Sequence, residues 1–352
     1  MKKIWKLLAL LLALATFFAM GGCGKKESQD STVKNAPFVP EKPYLIMATD
    51  IQNGAVAVID LDSEDPMNPK NYYWYWKADE ALGWKHAGML KRNLSDVRLR
   101  WSELHQTYVV LMTAANGWIG IAEYPSGKCL WETAEDKAKG AHAMEMLPSG
   151  DLVVASSGAG EWETKGYLVY YDTTDGKNYT ITHMEQSPSA HGVLWDPQYN
   201  LLWANSYTKL EAYEIITDDE GRSGLAKIED GPGALLVAGN AHDLMTDYSD
   251  PNLLWLTCDK AVVKYDKAAD KVLNTFTYSD KVANKYRVKG ITSFADGAVA
   301  YGKCGETSSD WLDVFYVLWP LDREGKEAEL YEYKAQDGAF WNKVRIFDPD
   351  YQ

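Results

Sequence analysis

Three segments of the chain superimpose on one another: GAHAMEMLPSGDLVVASS from Gly140, SAHGVLWDPQYNLLWANS from Ser189, and NAHDLMTDYSDPNLLWLTC from Asn240. Each holds a small residue, Ala and His, then a short apolar run, a turn rich in Pro, Asp or Gly, and a second apolar run. A unit this small cannot bury its own apolar face, so repetition at a fixed period demands that neighbouring copies stack. Two divergent segments fit the same frame. RVKGITSFADGAVAYGKC places Lys289 at the His position, and DVRLRWSELHQTYVVLMT places Arg98 there. A sixth copy, KVRIFDPD, places Arg345 there and lacks a second strand. YLIMAT at 44–49 supplies it, followed by AVAVID at 55–60.

The six positions are separated by 44, 49, 51, 47 and 56 residues. That is the length of a four-stranded blade, and short strands at this spacing favour a propeller over a sandwich. The sequence therefore predicts an all-β fold: a six-bladed β-propeller over 44–352, closed by pairing of the C-terminal strand with the N-terminal blade. Such pairing leaves no strand edge open. In the blade carrying His142, strands are expected at 143–147, 152–156, 167–172 and 178–183. The longer insertions fall at 77–96, 157–166, 230–241, 303–310 and 334–343, all in the connections that share one face of a propeller. Loops on a rigid scaffold are where function concentrates.

The segment ahead of the repeats differs in character. MKKIWKLLALLLALATFFAMGGC opens with Lys2, Lys3 and Lys6, continues as an apolar run, and ends in two glycines before Cys23. The run is too short to span a bilayer comfortably, and residues 1–22 read as an export signal. The ending resembles the bacterial lipobox, with Met20 where that motif usually has Leu, which makes Cys23 the lipidated residue. The polar, proline-bearing stretch 23–43 reads as a tether. The expected location is extracytoplasmic, with the membrane reached through the N-terminal lipid alone.

A formal net charge of −14 argues against nucleic acid as a partner. Beyond Cys23, only Cys129, Cys258 and Cys304 remain. Without CxxC spacing they make neither a disulfide framework nor a zinc ribbon, and free thiols are expected. No G-x-S-x-G, P-loop, HExxH or EF-hand motif occurs. A monomer is expected.

The six repeat positions begin the innermost strands, and they read Arg98, His142, His191, His242, Lys289, Arg345 around the ring. Clustered bases cost energy unless an anion or a metal answers them. In WD-repeat propellers a Gly-His ahead of the inner strand locks the blade by hydrogen bonds, but there the turn follows at about twice the distance. Two chemistries suit the ring. In one, Arg98, Lys289 and Arg345 clamp a carboxylate, sulfate or phosphate, arginine being suited to bidentate contact. A neutral His142, His191 or His242 among them then serves as a general base, as β-elimination of a uronic acid requires. In the other, the same three histidines converge on a divalent metal, zinc, iron or manganese. Trp84, Trp162, Trp311 and Trp341 fall in the elaborated connections and are expected to stack on sugar rings. Glu145 and Asp243 flank the ring as acid/base partners.

The segments AHGVLWDPQYNLLWANSYTKLEAYE, NAHDLMTDYSDPNLLWLTCDKAVVKYD and VKGITSF resemble a family of bacterial secreted six-bladed propellers catalogued as a domain of unknown function. The likeness runs over nearly all of the chain after the tether and includes Lys343 and Arg345; Ile346-Phe347 stands where an aromatic Trp is usual. The resemblance implies the fold and the repeat histidines, and implies no reaction. The expected function is binding of an acidic saccharide, or another small acidic ligand, at the channel mouth, with lyase chemistry as its enzymatic form. The alternative is a non-enzymatic scaffold that docks another envelope protein.

Overall fold

The computed structural model of the protein describes residues 42–158, 164–173, 177–236, 239–273, 287–305, 311–319 and 329–349. Its strands form five antiparallel sheets, and the eight-stranded one comprises two four-stranded blades joined by the single pairing of Leu312 with Trp341, which makes six blades among the described residues. The blade carrying His142 runs outward through Ala141–Met146, Leu152–Ser156, Tyr167–Asp172 and Thr180–Gln186, within three residues of the sequence expectation. The blade of His191 adds a short strand, Gly233–Leu235, on the edge of Lys209–Thr217.

The sixth blade joins the two ends of the chain. Trp341–Ile346 pairs antiparallel with Leu45–Asp50, which pairs with Ala55–Asp60 and then Trp74–Lys77. The register sets Arg345 against Met47 and Val344 against Ala48, and the amide of Phe347 donates to the Leu45 carbonyl at 3.0 Å. Each innermost strand lies against the next, and Trp341–Ile346 lies against both Val288–Ser293 and Leu94–Ser102.

Burial follows position in the blade. Inner strands such as Ala241–Thr246 and Trp341–Ile346 are buried throughout, because neighbouring blades cover both of their faces. Outer strands such as Thr180–Gln186 and Glu329–Lys334 are partly exposed and mix polar with apolar residues, as expected where solvent reaches the sheet. Inner strands also pass close to one another. A Cβ on Gly290 would stand 2.8 Å from the Cα of Lys343, so only glycine fits there.

Candidate functional site

The innermost strands share a feature that the sequence did not announce. Each carries a β-bulge near its start, between Leu94 and Asp96, Ala141 and Ala143, Ala190 and Gly192, Ala241 and Asp243, and Val288 and Gly290. In the last blade the step from Trp341 to Val344 faces only the step from Asp50 to Ala48. The inserted residues are therefore Ser95, His142, His191, His242, Lys289 and Asn342. A bulge bends the strand and re-aims one side chain out of the ladder.

This register corrects the sequence frame at both ends of the repeat. Arg98 and Arg345 lie three residues beyond the bulge, at the position that Glu145 holds in its blade. They do not belong to the ring of His142, His191, His242 and Lys289. Both arginines are fully buried and are answered by carboxylates of the protein itself. Arg345 grips Asp243 through Nη1 and Nη2, each at 2.7 Å, and Nη2 lies 2.7 Å from Asp96. Arg98 contacts Asp96 at 3.2 Å and Glu145 at 2.7 Å. Arg100 takes both oxygens of Glu145 at 2.8 Å, and Lys343 Nζ lies 2.9 Å from Asp243. Glu145 and Asp243 are thus committed to this cluster and not to acid/base duty. The arginines hold both carboxyls below the ordinary range, Asp243 at about 2, against a burial effect that pushes the other way.

A cavity of about 760 Å³ opens where the bulged residues gather. His142, His191, His242, Lys289 and Asn342 line it, together with Lys343, whose ammonium caps the ion cluster. Arg287, Asp259, Lys260 and Trp311 also form part of the wall. Ser95 does not reach it; its hydroxyl bonds to the carbonyls of Thr113 and Ala141 at 3.0 and 2.6 Å.

The three imidazoles form a continuous array. His142 stacks on His191 with ring centroids 4.2 Å apart and planes 7° from parallel, and His242 meets His191 edge-on at 5.4 Å. The Nδ1–H of His191 donates to the Ser189 carbonyl at 2.8 Å, which fixes the tautomer and leaves the Nε2 lone pair free. Ser189 holds a left-handed backbone, φ 54°, uncommon for a residue with a Cβ. His242 Nε2 donates to Asp259 at 2.7 Å. His142 makes no hydrogen bond among the described residues. Only one of the three rings bonds to backbone, so these histidines are not blade locks of the WD-repeat kind.

All three rings are held neutral. Burial is the main cause, and the charges of Lys343 and Lys289 and the other imidazoles add to it. His142 is lowered to about 3, His242 to about 4, and His191 well below the usual value. Burial likewise lowers Lys289, with Lys343 and Arg287 opposing its charge.

The expected zinc, iron or manganese site does not form from these residues. Nitrogen lone pairs lie in the ring plane, and two parallel planes share no point at which a metal could take both His142 and His191. His191 Nδ1 and His242 Nε2 are also occupied. Among the described residues, no group of three or more His, Cys, Asp or Glu side chains is placed to hold a metal ion.

The tryptophans divide. Trp311 lines the cavity. Trp84 is buried between Trp76 and Trp118, with its Nε1–H donated to the Gly127 carbonyl at 3.0 Å. The long connection carrying it folds back over its blade as two short 3-10 helices, which makes the ring core. Trp341 is equally buried, packed on Phe315 at the start of the last strand. Trp162 and Cys23 lie outside the described residues. Cys129, Cys258 and Cys304 form no disulfide among the described residues.

Arg287, two residues before Lys289, is one of the bases that the sequence places in the mouth-facing connections, and it lines the cavity as expected. Asn342, Asp259 and Lys260 escaped the sequence reading; Asp259 follows Cys258 in a connection of the mouth-facing class, a signal legible in the repeat frame.

Comparison with curated proteins returns no match. A chain of the solved structure titled "Crystal structure of Nidogen/Laminin Complex" aligns with a TM-score of 0.50 at 13% identity, covering 87% of this chain and 98% of that one. At that identity the likeness speaks for a propeller-like fold alone. A family model described as a family of unknown function, DUF6528, matches residues 2–312. The chain belongs to that family.

Proposed function

We propose that the protein is a surface lipoprotein that binds an acidic saccharide in the histidine-lined cavity, with β-elimination as the enzymatic form of that binding. The observation that supports this reading is the meeting, in one cavity, of basic side chains with imidazoles kept neutral. Arg287, Lys260 and Lys289 answer a carboxylate, and the Trp311 ring offers a face to the sugar. His191, its tautomer fixed by the Ser189 carbonyl, has a lone pair ready to take the proton beside that carboxylate. The cations stabilise the charge that develops there, and the electron pair then expels the neighbouring glycosidic oxygen. With the whole chain at net −14, only a local basic pocket overcomes long-range repulsion of an anion.

Calorimetry in moderate salt, with uronate-containing and neutral oligosaccharides of one length, tests the reading. The acidic ligand is expected to bind far more tightly. Arg287→Met is expected to cost about 1.5–3 kcal/mol of that affinity, the range for a hydrogen bond to a charged group. His191→Gln should lower turnover more than affinity, since a base acts in the transition state. Equal affinity for both ligands, or none for either at millimolar concentration, would remove the reading and leave the protein-docking scaffold, since the fold itself hosts both roles.

A further inference from the structure

The cavity has a closed floor. Arg98 crosses from its own blade to the carbonyl of Val193, two blades on, at 2.7 Å, and Arg345 reaches Asp243, two blades back, at the same distance. Bonds between alternate blades run through the middle of the ring, and both side chains are fully buried. Lys343 joins this cluster from above, through Asp243, and lines the cavity. A polymer therefore cannot thread the channel, and a chain that enters as deep as Lys343 has to end there.

The floor also holds hydrogen-bonding atoms that the protein leaves over. Lys343, 3% exposed, has three N–H donors, of which one goes to Asp243 at 2.9 Å; the other two meet no acceptor among the described residues. Asn342, 5% exposed, gives its amide N–H to the Leu94 carbonyl at 3.3 Å, and its side-chain oxygen accepts nothing among them. His142 lines the same cavity with both ring nitrogens unbonded there. Cationic donors, an amide acceptor and an imidazole that can give and take together complement a hydroxyl group, which does both. Polar groups left unmet in a buried place cost free energy, so a ligand that meets them is favoured.

We propose that the cavity takes the reducing end of a 4-linked acidic chain, with the terminal C1 hydroxyl on Lys343, Asn342 and His142. This rests on the acidic-saccharide reading above and gives that ligand a direction. C1 and C4 lie at opposite ends of a pyranose ring, so a C1 hydroxyl on the floor points the C4 oxygen at the mouth, where the rest of the chain continues. β-Elimination takes the proton from C5 and breaks the bond between C4 and its oxygen. A unit at the non-reducing end has only a hydroxyl at C4, with no glycosidic bond to break. The reducing-end unit is the terminal unit that can both stand on the floor and react. His191 takes the C5 proton, that electron pair forms the C4=C5 bond, and the C–O pair leaves with the departing sugar. The departing oxygen takes a proton from water, and His191 returns its own to the hydroxide. One chain gives an unsaturated monouronate and a chain shorter by one unit, with no net use of water.

Calorimetry on the full-length protein with 4-linked trigalacturonate and hexagalacturonate tests this without requiring turnover. Each chain has one reducing end, so affinity per mole of chain is expected to agree within about twofold. Borohydride opens the terminal ring and keeps its carboxylate; that change should weaken binding roughly tenfold or more, the worth of one or two hydrogen bonds. A 4-O-methyl group on the non-reducing end should change little. Asn342→Ala should bring the native and reduced trimers closer in affinity. Where turnover occurs, mass spectrometry should find the unsaturated monomer as the first product. Affinity per chain that rises with the number of units, indifference to the reduced end, or first products of mixed length would overturn the end-on placement and keep the acidic-saccharide reading. No binding of either oligouronate at millimolar concentration would remove that reading, and this inference with it.

Discussion

Arg345→Ala is expected to lower the unfolding free energy by about 3–5 kcal/mol, the cost of removing one partner from a buried ion pair. The side chain is fully buried and makes two parallel contacts with Asp243 and one with Asp96. Its loss strands both carboxylates away from water, each already committed to a second cation at Lys343 or Arg98. Arg345→Lys should recover only part of the loss, since an ammonium cannot reproduce the planar two-pronged contact. Urea unfolding checks this, with the slope expected to hold while the midpoint falls. Saccharide affinity, measured where the variant stays folded, should change little. A loss below about 1 kcal/mol would place the pair with exposed salt bridges and contradict the sealed cluster.

Acid should weaken the fold well before the carboxylates titrate. The sign follows from the histidines. In the unfolded chain they charge near the ordinary pKa of about 6.5, whereas in the fold His142 and His242 stay neutral down to about 3 and about 4, and His191 is lowered too. Below pH 6.5 the unfolded state therefore binds more protons, and stability falls as pH falls. Each neutral ring contributes up to about 1.4 kcal/mol per pH unit. The loss should run from about pH 6.5 to about 3, easing near pH 4 as His242 charges in the fold and ending as His142 does. Below about pH 4, Asp243, Glu145 and Asp259, all held low, add their own loss as they protonate. Urea midpoints at several pH values between 7 and 4.5 check this. Replacing all three histidines with glutamine should flatten the profile; an unchanged slope would mean that the rings charge in the fold.

The fold was legible because propeller blades repeat, and His142, His191 and His242 mark equivalent places in three of them. The two outer blades misled because the frame was set there by chemistry, taking the nearest basic residue, and not by the apolar pattern. Aligning Leu94 and Trp341 with Ala141 puts Ser95 and Asn342 at the bulge, and the separations become 47, 49, 51, 47 and 53 residues. Those are more even than the set that used Arg98 and Arg345, and evenness was the available signal. The ion cluster was hidden for another reason. Its carboxylates, Asp96, Glu145 and Asp243, come from three blades, and nothing local in a sequence tells a buried carboxylate from a solvated one. Trp84 shows the same limit, since a tryptophan in a long connection reads as exposed until that connection folds back over its blade.

A crystal soaked with a hexuronate tests whether the cavity between His142 and Lys289 holds an acidic sugar. Density is expected in that cavity, with the carboxylate against Arg287 and Lys289, the ring toward Trp311, and the acidic proton facing Nε2 of His191. Density confined to the outer loops at a concentration that saturates the cavity by calorimetry, or a sugar bound with its carboxylate turned to solvent, would contradict it.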